Sequence, residues 1–217
     1  LSGPYAEHQW LWRFFPAESG SLRDFLFHRR ELGGRPRYYV VSARAPYSDD
    51  PAWLVRTQSY VPRLAAGTRL GFELRANPVV SRRVDGKHSR HDVVMDAKRR
   101  MLAERGLSRW VEWKPDHIAA DGQPDPRPPL YELVQSNCSA WLEARAEAGG
   151  FAVDPACLVA DAYQQQAGKQ GQLHFSTVDF RGELTVIDPD RFSATLRQGI
   201  GPAKAFGCGL LLVRPLP

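Results

Sequence analysis

The spacing of apolar and polar positions divides the chain into segments of different period. Tyr5 to Phe15 (YAEHQWLWRFF) holds no internal Gly or Pro and is closed by Pro16, which predicts a helix with Tyr5, His8 and Trp12 on one face. Tyr38 to Ala43 is β-branched and aromatic and predicts a strand. Trp53 to Val61 and Arg69 to Ala76 alternate apolar and polar residues, and with Pro62 and Gly67 between them predict a hairpin or two neighbouring strands. Ser81 to Arg90 reads as a loop around Asp85-Gly86, followed by a helix from Asp92 to Arg105 that Gly106 stops. Past the Pro-rich stretch Gly122 to Pro129, Tyr131 to Ala148 predicts a further helix ending at Gly149-Gly150. His174 to Phe180 and Glu183 to Ile187 read as two strands around a tight turn at Arg181-Gly182. Asp188-Pro189 starts a short helix to Gln198, and Leu210 to Val213 is a last strand behind a glycine-rich loop. Helices and strands thus alternate irregularly in two blocks, an α+β pattern of two βαββαβ units. The division drawn from it is an N-terminal domain 1–80, a basic linker 81–106 and a C-terminal domain 107–217. The strand expected ahead of the Tyr5 helix is not in this sequence, so the chain is expected to start past it.

Composition changes the picture little. With 217 residues, 43% hydrophobic and 24% charged, the chain is an ordinary globule rather than a disordered one. Its apolar runs span a few residues, far below the ~20 that cross a bilayer, so no membrane contact is predicted. Cys138, Cys157 and Cys208 are an odd number without a C-x-x-C pair, which points to a reducing, cytoplasmic setting and to no metal site. Charge is more telling. The net +5 is carried by Arg82 to Arg109, where nine basic residues face four acidic ones while the remainder balances. Arginine's planar fork suits phosphate, so this strip is a candidate polyanion face; a solvated charge run would look the same.

Two motifs carry candidate chemistry. The loop GIGPAKAFGCG sets Gly199, Gly201, Gly207 and Gly209 around Lys204, a pattern equally suited to tight packing and to phosphate contact. It is neither a Walker A loop nor a dinucleotide fingerprint. His8 stands three residues after Tyr5, so two proton-transfer groups share a helix face. His28, His88, His91, His117 and His174 have no such partner and read as surface or core residues.

The C-terminal QGIGPAKAFGCGLLLVRPL, the strand end LRANPV (Leu74 to Val79), DFLFH (Asp24 to His28) and Tyr5-x-x-His8 followed by LWRFFP resemble the CasE family, the CRISPR RNA-processing endoribonuclease of the type I-E Cascade complex. The resemblance implies two tandem ferredoxin-like (RRM-like) domains with a basic RNA-binding face, catalysis by His8 and Tyr5 without cofactor or metal, and a CRISPR repeat stem-loop as substrate. It also implies Cascade backbone and cap subunits as partners, with a monomer in isolation. Arg13, Arg82, Arg83, Lys87, Arg90, Lys98, Arg99, Lys169 and Lys204 are the residues expected on RNA. The segment AGKQG (Ala167 to Gly171) is similar to an RNA-contacting hairpin, with Gln172 where a second basic residue is expected. The residues alone leave open which of His8 and Tyr5 is acid and which base. They also leave open a non-catalytic RNA-binding module and, more weakly, a structural subunit contacting only proteins.

Overall fold

The computed structural model describes residues 4–18, 20–84, 86–119, 121–167 and 174–216; the side chains of Pro4, Tyr5, Val84, Lys87 and Ala167 are not among them. In chain order the elements are α1 (Pro4–Leu11), β1 (Phe25–Leu32), β2 (Arg35–Ser42), β3 (Arg69–Ala76), β4 (Val79–Val84), β5 (Lys87–Asp92), α2 (Val93–Glu104), α3 (Leu130–Ala146), β6 (Phe151–Val153), β7 (Val159–Ala167), β8 (His174–Val186), α4 (Pro189–Gln198) and β9 (Leu211–Pro215). The helix predicted over Tyr5 to Phe15 tightens into a 3-10 turn at Trp12–Phe14.

The N-terminal part is α1 against the β1–β2 hairpin, which turns at Gly33 and Gly34, both at positive φ as a type I′ turn requires. Leu11, Phe14, Phe15, Phe25 and Phe27 form a small core, with Trp10, Trp12, Tyr38 and Trp53 packed against it. Residues 43–68 hold no helix or strand. The strand expected at Trp53 to Val61 is therefore corrected: its alternation has no partner strand, and Leu54 and Val61 stay 80% and 76% exposed.

The larger core lies under an antiparallel sheet in which β7, β8, β3 and β9 are successive neighbours, with β6 pairing the end of β8. Leu70, Phe72, Leu74 and Ala76 alternate to one face of β3 and meet Leu133, Val134, Trp141 and Leu142 of α3 and Phe192 and Leu196 of α4. With α3 between β3 and β7 and α4 between β8 and β9, this is one βαββαβ unit beginning at Arg69. The division at residue 80 cuts through it, because β3 hydrogen-bonds on both edges to strands of the C-terminal block. We therefore place the boundary ahead of Arg69.

Two further expectations are revised. Ser81 to Arg90 is not a loop but most of the β4–β5 ribbon, which among the described residues pairs only with itself and turns where Gly86 has a φ of 76°. Arg181-Gly182 is not a turn; β8 runs through it, Gly182 opposite Phe72. A Cβ on Gly182 would lie 2.9 Å from the Cys157 carbonyl oxygen, so that glycine admits a crossing backbone rather than a bend.

The sheet face turned away from the helices meets β1 across a polar seam. Arg75 donates twice to Asp179, at 2.6 and 2.7 Å, Arg181 pairs with Asp161 at 2.6 Å, and Arg30 of β1 reaches Glu73 of β3. His28 is 7% exposed in that seam, with Nδ1 unpartnered. Burial first, then the Arg75 charge, pull its pKa down to about 4.

Candidate active site

Among the described side chains of α1, the buried ones are Leu11 and, four residues before it, Glu7. Glu7 is 9% exposed and accepts from Arg29 Nη1 of β1 at 3.0 Å and from the Tyr38 hydroxyl of β2. A carboxylate in that place costs desolvation, and its two partners offset the cost only in one helix rotation. That rotation turns the next residue, His8, toward the glycine-rich loop. His8 is half-buried, edge-on to Trp12 at 6.3 Å and 5.9 Å from the Phe206 ring, which itself stacks on Phe175 of β8 at 5.1 Å. Burial and the neighbouring Arg23 charge lower the His8 pKa below its ordinary 6.5, against a hydrogen bond with the Ala205 backbone that raises it. The imidazole is therefore neutral at pH 7, and its Nδ1 is buried without a hydrogen-bond partner among the described residues. Tyr5 falls three residues earlier in α1; its side chain lies outside the described residues.

Arg23, just ahead of β1, belongs to no motif that the sequence marks. Its guanidinium lies 5.1 Å from the Phe25 ring and 5.9 Å from Phe27, with Nη1 buried and unpartnered. Burial brings its pKa down to about 10, so it remains a cation beside His8 at neutral pH. Lys204 is the second cation, its pKa lowered by burial and then by Arg23. A half-buried imidazole beside Arg23, with Lys204 next to the Ala205 that bonds it and no paired carboxylate among the described residues, can take a proton while the cations hold an anion.

The glycine loop positions Lys204. Gly199 and Gly209 back onto one another: a Cβ on Gly199 would stand 2.8 Å from the Gly209 carbonyl oxygen, and both residues have positive φ. A Cβ on Gly207 would stand 3.0 Å from the Phe27 ring and one on Gly201 3.1 Å from the Trp141 ring, so the loop lies close against both parts of the chain. Between these anchors Lys204–Phe206 forms a 3-10 turn against α1. On its other side Lys204 joins Arg90 of β5 and Arg145 of α3 around a groove of about 550 Å³.

Residues 1–215 match the family described as CRISPR associated protein. Over 214 residues the chain is 29% identical to the CRISPR system Cascade subunit CasE of Escherichia coli, covering 98% of this chain and 92% of that one. Over 226 residues it is 30% identical to the CRISPR-associated endoribonuclease Cse3 of Thermus thermophilus, covering 99% and 92%. The chain belongs to the CasE family of CRISPR-associated proteins. A structure of Thermus thermophilus Cse3 bound to an RNA representing a pre-cleavage complex aligns with a TM-score of 0.64 at 27% identity, covering 98% of this chain and 89% of that one. The fold is thus the α+β, tandem ferredoxin-like fold of the CasE family.

The cations expected on RNA divide into engaged and open ones. Arg82 is committed to Asp96, at 3.0 and 2.5 Å, and Lys98 lies 5.2 Å from the Trp110 ring centroid. Arg99 donates to His91 Nδ1 at 3.2 Å but is exposed, as are Arg13, Arg83 and Arg90. Lys87 opens β5, its side chain outside the described residues, and Lys169 lies outside them altogether, with the rest of Gly168–Leu173. Among the described residues one group has metal-binding spacing, Asp154, Cys157 and Glu183, and it includes none of the residues around His8. No described helix is long and apolar enough to cross a membrane.

Proposed function

We propose that this CasE-family chain is an endoribonuclease that cuts CRISPR precursor RNA within its repeats and remains on the 3′ stem-loop as a Cascade subunit. The observation that carries this reading is His8, half-buried on α1 with Arg23 beside it and the Ala205 backbone of the glycine-rich loop bonded to it, and kept neutral by burial first and by the Arg23 charge second. The relatives it resembles are named as a Cascade subunit and as an endoribonuclease. Cleavage needs neither metal nor cofactor in this scheme. The 2′-oxygen attacks the adjacent phosphorus as His8 takes its proton; the bond from phosphorus to the 5′-oxygen breaks, and that oxygen is protonated. The products are a 2′,3′-cyclic phosphate and a 5′-hydroxyl. Neutral His8 fits the base. Arg23 and Lys204 hold the charge growing on the phosphoryl oxygens, and the Tyr5 phenol supplies or orients a proton.

The test is His8→Ala on a labelled CRISPR repeat stem-loop in EDTA. Single-turnover cleavage falls by ~10²–10⁴ while stem-loop affinity stays within a few-fold. Wild-type rate in His8→Ala removes the assignment, and loss of wild-type cutting in EDTA removes metal independence.

A further inference from the structure

Half-buried arginines in this chain usually rest on a carboxylate, as Arg75 does on Asp179 and Arg105 on Asp125. Arg145 does not. Its Nη1 donates to the Trp141 carbonyl at 2.9 Å, its Nη2 to the Val79 carbonyl at 3.2 Å, and its guanidinium carbon lies 4.1 Å from the Trp141 ring centroid. These contacts fix the group without neutralising it, and burial lowers its pKa. Its remaining N–H donors belong to a group that lines the groove described above, whose walls are Val79, Ser81, Arg90, Arg145, Gly201, Pro202, Ala203 and Lys204. Three cations stand there with no carboxylate among the described lining residues. Ala203 holds the loop in the left-handed region, φ 57°, which is uncommon for a residue with a side chain. The groove also adjoins the candidate active site: Lys204 lines it, feels the charge of Arg23, and precedes Ala205, which is bonded to His8.

We propose that this groove is a phosphodiester subsite for the RNA strand next to the cut, with Arg145 as its fixed cation and Arg90 and Lys204 closing on the same linkage or the one beside it. The proposal rests on the endoribonuclease reading. A guanidinium already immobilised by its own helix loses little freedom when a phosphate arrives, and phosphate geometry matches its planar fork. An arginine so placed sets the register of the strand over His8 and carries no sequence information.

The experiment pairs RNA and protein changes. A CRISPR repeat stem-loop, made uncleavable by a 2′-deoxy residue at the cut, receives one uncharged methylphosphonate at a time in the linkages flanking that position. Binding is measured with wild type, Arg145→Gln and Arg90→Gln. At one linkage close to the cut, neutralisation weakens the wild type about tenfold and costs Arg145→Gln almost nothing more. Arg90→Gln, on an exposed ribbon, shows the same coupling there or one linkage away, and decides the matter if Arg145→Gln does not fold. Equal losses for wild type and both variants at every linkage overturn the subsite. If unmodified RNA is still cut by the wild type, that result leaves the endoribonuclease reading standing. If it is neither bound nor cut, both fall.

Discussion

His8 and His28 are both held below the ordinary histidine pKa by burial, yet one faces an open loop and the other a closed seam. Each gives a pH dependence of its own. For His8 as base, the acid limb of the cleavage rate lies below pH 6.5, and the rate falls as pH drops through it; a limb above 6.5 in single-turnover measurements contradicts that role. His28 acts on stability instead. The unfolded chain takes a proton near 6.5 that the native chain refuses until about 4, so stability is full above the unfolded pKa and declines as pH falls through that window. At pH 5 the loss is about 2 kcal/mol, and His28→Leu abolishes this part of the difference between urea midpoints at pH 7.5 and pH 5. From sequence, His8 stood out through Tyr5, whereas no motif or spacing singled out Arg23 or Glu7. Their meaning comes from where the chain buries them, and neither residue type nor helical spacing encodes that.

Among the elements, those with local punctuation were legible and those made by distant pairing were not. α2 and α4 start where Asp92 and Asp188 cap them: Asp92 accepts from the Met95 amide at 2.7 Å, Asp188 from the Asp190 and Arg191 amides at 3.1 and 3.0 Å. The single long β8 was not legible, since Arg181-Gly182 carries a turn signature that only the crossing Cys157 backbone overrides. β4 and β5 were hidden by their charge, because a ribbon pairing with itself needs no apolar face. α1 was legible as a helix but not in its orientation. That orientation depends on the Glu7–Arg29 pair, so Glu7→Gln lowers the single-turnover rate by about tenfold or more through misplacement of His8 and changes stem-loop affinity by no more than a few-fold. Arg29→Gln does the same, and the double variant loses little beyond either single one. Additive losses, or weakened affinity with an unchanged rate, would show that the pair merely supports the fold.

At the scale of the molecule, the proposed reading makes binding a matter of phosphate neutralisation by the open cations Arg13, Arg83, Arg90 and Arg99, together with Arg23, Arg145 and Lys204. If about six phosphates are engaged, stem-loop affinity falls by ~10³ between 50 and 200 mM salt, and a flat titration rules this out. Most of those contacts survive one cut, so excess substrate gives a burst equal to the enzyme concentration and slow turnover after it; steady multiple turnover contradicts retention. The two-block α+β pattern was legible in the sequence, but not the boundary ahead of Arg69, because the strand that defines it finds its partners in β8 and β9. That pairing also has a consequence in time. As the chain leaves the ribosome, β3 is made before β9, and this central strand of the sheet keeps one edge of unpaired backbone N–H and C=O groups until Leu211–Pro215 has followed. β9 acts as the clasp of the fold. A nascent chain stalled before Leu211 should recruit chaperones and pellet on release, while the same chain extended through Pro215 remains in the supernatant.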